Sequence, residues 1–390
     1  VDGNQRYTVE DIEKLTGLQI GQAIAVPALN DAARALARTG LFSDVKFTYS
    51  VTSTQLVVTF EIAEAAATAP VVFDNFVWMS DDELRTALRV DVPEFDGKTT
   101  TYAGAPDLIA GALQKILAER HLPGHVSVMP QFPLGATKGE PVAFIISVNE
   151  PAPALCALHV AGASAISGKE LASQLGGAVG GPYSREFLRA ASAGTLTDMY
   201  HRVGHWRAAF DTPTVALNEC SGVAVTLNVD EGAAYAWDHA DWAGNASIAS
   251  SALDKLLTMK TGEMADGGKI AAGLIAIRTE YGRHGYIEES ARSEPRLDDS
   301  THRAIFLVKV QEGPQYTMGS LQFVGIRDAD ADKLQKQWQL KQGEVFDESY
   351  MKEYQTKVRG PLQSPSGGRP VLDLMLDRDH HVANLRVRVE

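Results

Sequence analysis

The residues that could do chemistry are few and mostly incomplete as sites. Cys156 and Cys220 are the two cysteines, and neither stands in a CxxC pair, so the spacing offers no zinc or redox motif. They remain open to two readings: one disulfide in an oxidising compartment, or two buried thiols packing as small apolar residues. Asp328, Asp330 and Asp332 have the opening spacing of a calcium loop. That loop needs Gly at its sixth position and Glu at its twelfth, where Lys333 and Gln339 stand. The acids read better as the start of a helix, whose free N–H groups favour negative charge. His201 and His205 would share a helical face at four-residue spacing, but Gly204 falls between them and no Glu or Cys completes a site. His380 and His381 fall at an expected hairpin turn and read as solvated surface histidines. Gly262, Gly267, Gly268 and Lys269 have a phosphate-loop flavour. Their spacing is off by one, Ile270 replaces the required Ser or Thr, and they read as a turn between helices. No GxSxG elbow and no acid–base pair emerges. The expectation is therefore no catalytic residue, no metal and no cofactor. Trp78, Trp237, Trp242 and Trp338 read as core residues, not as binding platforms.

Composition narrows the classes further. The 390 residues are 45% hydrophobic and 22% charged, the balance of a globular chain. The net charge of −13 argues against a nucleic-acid surface and gives no reason for attachment to an anionic membrane. No apolar run reaches the roughly 18 residues of a membrane-spanning helix. No basic and apolar leader precedes Val1, so a leader, if encoded, has been removed.

The elements that would position any site recur at a period of roughly 80 residues. Each unit reads as an apolar strand, a Gly or Asn, a capped helix, a Gly, a second helix, a Gly, and two alternating strands ending in an acid. In the first unit Thr8 and Asp11 form a capping-box-like start, and Ile12 and Leu15 give the helix an apolar face. Gly21 follows it, where a left-handed residue is expected. Leu29, Ala32, Ala33 and Leu36 mark a second helix, closed by Gly40. Val45, Phe47 and Tyr49, then Leu56, Val58, Phe60 and Ile62, alternate with period two up to Glu64. Ser80 with Glu83 and Ser167 with Glu170 repeat the cap, and Asp230-Glu231-Gly232 and Glu312-Gly313 repeat the acidic end. The stretch from Pro93 to Gly104 reads as a loop insertion. The predicted fold is α+β: about five β-α-α-β-β modules, each a three-stranded mixed sheet covered on one face by two helices. The boundaries fall at 1–66 (first strand truncated), 67–151 (with the insertion), 152–232, 233–313 and 314–390.

This pattern resembles the POTRA domain of outer-membrane protein assembly and polypeptide-transport proteins. The resemblance is sharpest at Leu36-Ala37-Arg38-Thr39-Gly40-Leu41-Phe42-Ser43-Asp44-Val45, at Gly21-Gln22-Ala23-Ile24 and at the acidic ends. It is weaker in the second unit and weakest in the fifth, where Gly360 to Pro370 replaces a Gly-aromatic turn. Five such units are similar to the periplasmic arm of BamA-type insertases. Those continue into a membrane barrel, whereas this sequence starts at Val1, inside the expected first strand, and stops at Glu390, flush with the expected last one. The arm is then either part of a longer protein or a stand-alone relative, and insertion activity does not carry over.

The resemblance implies that the second strand of each module lies at a sheet edge open to an incoming extended chain. The candidate edge residues are Val45, Phe47, Tyr49, Val126, Val128, Trp206, Ala208, Phe210, Tyr286, Leu372 and Leu374. It also implies that Cys156 and Cys220 sit on parallel neighbouring strands, where a disulfide could close. The function it implies is a non-enzymatic, periplasmic polypeptide-binding and docking scaffold, associated with the outer membrane through a barrel or through partners. Its partners would be unfolded outer-membrane proteins or assembly-machinery subunits, with no nucleic acid and no small-molecule substrate. The alternative is a structural or divisome-type envelope scaffold whose modules bind fixed protein partners.

Overall fold

The structure is a computed structural model and describes all residues except 53–54, 93–94, 103, 137, 219–221, 360–369 and 390. The chain divides into two compact units. The first comprises Val1–Gly162, Ser167–Ala193 and Phe210–Asn228. The second comprises Ala163–Ile166, Gly194–Ala209 and Val229–Glu390.

In the first unit, Asp2 makes a parallel bridge to Glu61, with its N–H donating to the Phe60 carbonyl at 2.8 Å. The helix Val9–Thr16 starts on a reciprocal capping box: the Thr8 hydroxyl receives the Asp11 N–H, and the Asp11 carboxylate receives the Thr8 N–H. Gly17, at φ 70°, ends it, so the left-handed stop comes earlier than Gly21, which lies in the following loop at φ 84°. Helix Val26–Arg38 follows, and then an antiparallel hairpin of Phe42–Val51 with Leu56–Glu64. Ile12, Leu29, Leu36, Phe60 and Ile62 are buried between them.

The next sheet runs in the order Lys98–Thr100, Thr68–Phe73, Ala143–Asn149, His125–Gln131, covered by helices Asp81–Leu88 and Ala105–Glu119. The expected loop insertion thus contains a strand. Thr99 and Thr100 are β-branched and buried, and they pair antiparallel with Ala69 and Thr68. The insertion also reaches back to the first hairpin's module: Thr100 Oγ1 donates to the Gly40 carbonyl at 2.6 Å. Gly104 lies so close that a Cβ would sit 2.1 Å from the Arg38 oxygen. A third sheet pairs Ala154–Ala161 parallel with Gly222–Asp230, which also takes Thr214–Asn218 antiparallel. Helices Gly168–Gln174 and Arg185–Ala191 belong to this part of the chain.

The second unit repeats the plan twice. Ala236–Ala243 pairs parallel with Arg303–Gln311, which pairs antiparallel with Ser290–Asp298, beside helices Ser250–Leu257 and Gly267–Arg283. Thr317–Val324, Val382–Val389 and Pro370–Asp377 form the same sheet again, beside helices Asp328–Gln337 and Glu348–Arg359. Each sheet carries its own buried cluster. Leu253, Ile277 and Phe306 lie in one, and Leu334, Tyr354 and Leu385 in another.

One minor reading changes and another holds. Gly267, Gly268 and Lys269 are the first turn of a helix, not an interhelix turn, because the Asp266 carboxylate caps the N–H groups of Gly268 and Lys269. The acids from Asp328 onward do open a helix, with Asp330 paired to Arg327.

Candidate protein-binding edges

In four of the five sheets the parallel pair joins the first and last strands of a repeat, and the second strand is left lateral. Among the described residues Phe42–Val51, His125–Gln131, Ser290–Asp298 and Pro370–Asp377 each pair on one side alone. The other side presents a row of unpaired N–H and C=O groups. Val45, Phe47 and Tyr49 lie on the first of these edges, Val126 and Val128 on the second, and Leu372 and Leu374 on the fourth.

Trp206, Ala208 and Tyr286 are not edge residues. They lie in turns that follow Gly204 and Gly285, before the strands begin at Ala209 and Ser290. Trp206 is committed elsewhere: its Nε1 donates to the Ala265 carbonyl at 2.7 Å, and its ring stacks on His201 at 4.4 Å and meets Phe306 edge-on. Tyr286 packs against Tyr281, and its hydroxyl is hydrogen-bonded to the Ser247 hydroxyl at 2.7 Å. Alternation alone could not tell these turn aromatics from strand residues. Phe210 does lie in a strand, the two-residue piece Ala209–Phe210. The longer lateral strand of the third sheet is Thr214–Asn218, which the sequence reading missed. Its signal was present as the Val215 and Leu217 alternation; both are exposed, Leu217 at 63%. Beside it a groove of about 450 Å³ is lined by Phe76, Trp78, Met79, Pro213 and Val215, with Arg185 held at its wall by Asp81.

The pairing expected between Cys156 and Cys220 falls outside the described residues, since Cys220 is not among them. His201 and His205 diverge, as the helix Thr197–Arg202 ends between them and His205 Nδ1 contacts the Glu231 carbonyl. Among the described residues no group of three or more His, Cys, Asp or Glu is placed to hold a metal. No helix among them is long and apolar enough to cross a membrane.

What the acidic strand ends do is structural. The Glu64 carboxylate accepts the N–H groups of Gln5, Arg6 and Tyr7. Glu231 accepts those of Ser164 and Ala165 together with the Tyr200 and Ser164 hydroxyls. Glu312 accepts the Ser247 N–H and hydroxyl and the Tyr281 hydroxyl. The last strand is thereby tied to the loop before the first helix, and in the later copies to the second helix. Burial pushes the Glu231 carboxyl up, but its Ser164, Ala165 and Tyr200 donors outweigh this and hold it at about 2. The same balance holds Glu312 below the usual carboxylate range.

Comparison with known proteins places this repeat. Residues 235–313 match the POTRA family, described as a surface antigen variable number repeat. Among solved structures the chain is similar to POTRA3-5 of Haemophilus influenzae BamA, at 20% identity and TM-score 0.46, over 61% of this chain and 96% of that one. It is similar also to POTRA1-3 of the periplasmic domain of Omp85 from Anabaena, at 15% identity and TM-score 0.27, over 61% and 94%. CdiB from Escherichia coli matches at 16% identity and TM-score 0.23, over 57% of this chain and 35% of that one. A POTRA module is thus matched at residues 235–313, and the same helix-pair-and-sheet order recurs in the strands and helices from Thr317 to Val389.

Proposed function

We propose that this chain is a non-enzymatic polypeptide-binding scaffold of about five POTRA modules, divided as the repeat suggests, that takes extended client or partner segments onto its lateral strands. The observation that carries the reading is the recurrence of a one-sided strand in successive sheets. A guest strand there gains main-chain hydrogen bonds with little demand on its sequence. Four such bonds at ~1 kcal/mol net each amount to roughly millimolar binding. Several modules in line raise the effective affinity through multivalency. That combination suits holding and passing on an unfolded chain. The lowered carboxyls of Glu231 and Glu312 are saturated by internal donors, which fits a structural role for both. A periplasmic site of action at the outer membrane, with unfolded outer-membrane proteins or assembly subunits as partners, is the setting in which POTRA modules fit this role.

The test is photo-cross-linking from Phe47, Phe210 and Leu217 to an unfolded outer-membrane protein. Adducts concentrated at these positions are expected. Yields no higher than from the exposed helix position Ile275 would sink the reading.

A further inference from the structure

Two consecutive joints in the second unit are built on one plan. At the first, the Tyr235 N–H donates to the Gly204 carbonyl at 2.9 Å, and the Ala236 N–H donates to the His302 carbonyl. At the second, the Tyr316 N–H donates to the Gly285 carbonyl at 2.9 Å, and the Thr317 N–H donates to the His381 carbonyl. Each tyrosine is buried and meets its histidine edge-on, at 6.1 and 5.8 Å. Both histidines sit in the left-handed region, at φ 50° and 52°, within hairpin turns. Each tyrosine hydroxyl ends in an ion pair between the residue three after the glycine and the residue three before the histidine.

The polarity of that pair is reversed. At the first joint Arg207 follows the glycine and Asp299 stands on the hairpin turn, at 2.9 Å, with the Tyr235 hydroxyl donating to Asp299 at 2.5 Å. At the second joint Glu288 follows the glycine and Arg378 stands on the turn, at 2.7 Å, with the Tyr316 hydroxyl donating to Glu288 at 3.0 Å. A hairpin turn docked on the wrong predecessor would set Arg378 against Arg207, or Asp299 against Glu288.

We propose that these opposed ion pairs code the order of the modules, so that each hairpin turn closes only on the module that precedes it. The backbone contacts are alike at both joints and cannot tell one from the other. Three of the four charged side chains are at least half exposed. Exposed pairs add little stability, but a like-charge pair in their place is costly. Discrimination by repulsion is a recognised route to specificity.

The full chain supplies the test, since the amides of Tyr235 and Tyr316 report the two joints separately in native-state hydrogen exchange. Arg207→Glu is expected to speed Tyr235 exchange by about fivefold and leave Tyr316 unchanged. Adding Asp299→Arg should restore it to within about twofold. Equal Tyr235 exchange in all three proteins would overturn the role of the pair. The double variant gives both joints the same polarity. After refolding at high concentration it should form more interlocked dimers than the parent. Adding Glu288→Arg with Arg378→Glu, which restores opposed polarity, should remove them. A dimer fraction unchanged across these proteins would overturn the code, even with the joint itself intact.

Discussion

At the scale of single residues, the terminal glutamates are the most exacting features. Glu231 is nearly buried and accepts from two backbone N–H groups and two hydroxyls. Its folded carboxyl titrates at about 2, below the ordinary 4.5. A depressed carboxyl contributes stability that is present above the ordinary value and lost as pH falls through the folded one. Glu231→Gln should therefore cost about 2 kcal/mol at neutral pH and flatten the stability profile between pH 4.5 and 2, measured by denaturant titration across that window. Glu289 has the opposite sign. It is 1% exposed, neither carboxylate oxygen has a hydrogen-bond partner, and burial raises it while Arg278 pulls weakly the other way. An acid raised in the fold is no burden below its ordinary value and costs stability as pH rises from there. Glu289→Gln should raise the melting temperature at pH 7 by about 2 °C and change little at pH 4. A calorimetric pair of scans at the two pH values checks it. The position corresponds to Ala208 in the preceding repeat, counted from Gly204 and Gly285, so the carboxylate is not needed by the fold.

At the scale of elements, the lateral strands are not equally open. Phe42–Val51 is ten residues long, has no proline, and carries Val45, Phe47, Tyr49 and Val51 on one face, with Tyr49 and Val51 exposed. Ser290–Asp298 is interrupted by Pro295 and carries Arg292, Glu294 and Arg296. Proline and charge are the usual means of closing an edge to a second strand. Cross-linking to an unfolded client should thus be stronger from Phe47 than from Ser293, and Pro295→Thr should narrow the gap. Equal yields from both edges in the parent would contradict this ranking. The groove beside Thr214–Asn218 sets that edge apart, since a guest side chain has apolar walls to meet there.

At the scale of the whole molecule, the buried residues of the first, second, fourth and fifth sheets form separate clusters. A cavity in one should stay local. Leu84 is fully buried in the second sheet's cluster, and Leu84→Ala should cost about 3 kcal/mol there. Hydrogen exchange should speed at the amides of Leu84–Leu88 and Leu113–Leu117 and remain as before in Ile270–Tyr281 of the second unit. Exchange that speeds equally in both stretches would mean one cooperative block.

Much of this was legible in the chain itself. Helix starts at Thr8, Ser80 and Ser167 were readable because a cap is a contact between residues three apart, written locally. The hairpins were readable because period-two alternation is local as well. The same locality explains the errors. Trp206 and Tyr286 alternate with their neighbours, yet the turns after Gly204 and Gly285 place Trp206 on the next repeat's core, tens of residues away, and Tyr286 on Tyr281 of the preceding helix. Lys98–Thr100 needed the edge of Thr68–Phe73 beside it before it could be a strand. What the sequence determined was the repeat, its caps and its alternating faces. Which strand stands free, what the terminal glutamates hold, and the opposed polarity of the two joints were decided by the tertiary structure. Each depends on groups distant in the chain meeting in space, and no local period encodes such a meeting.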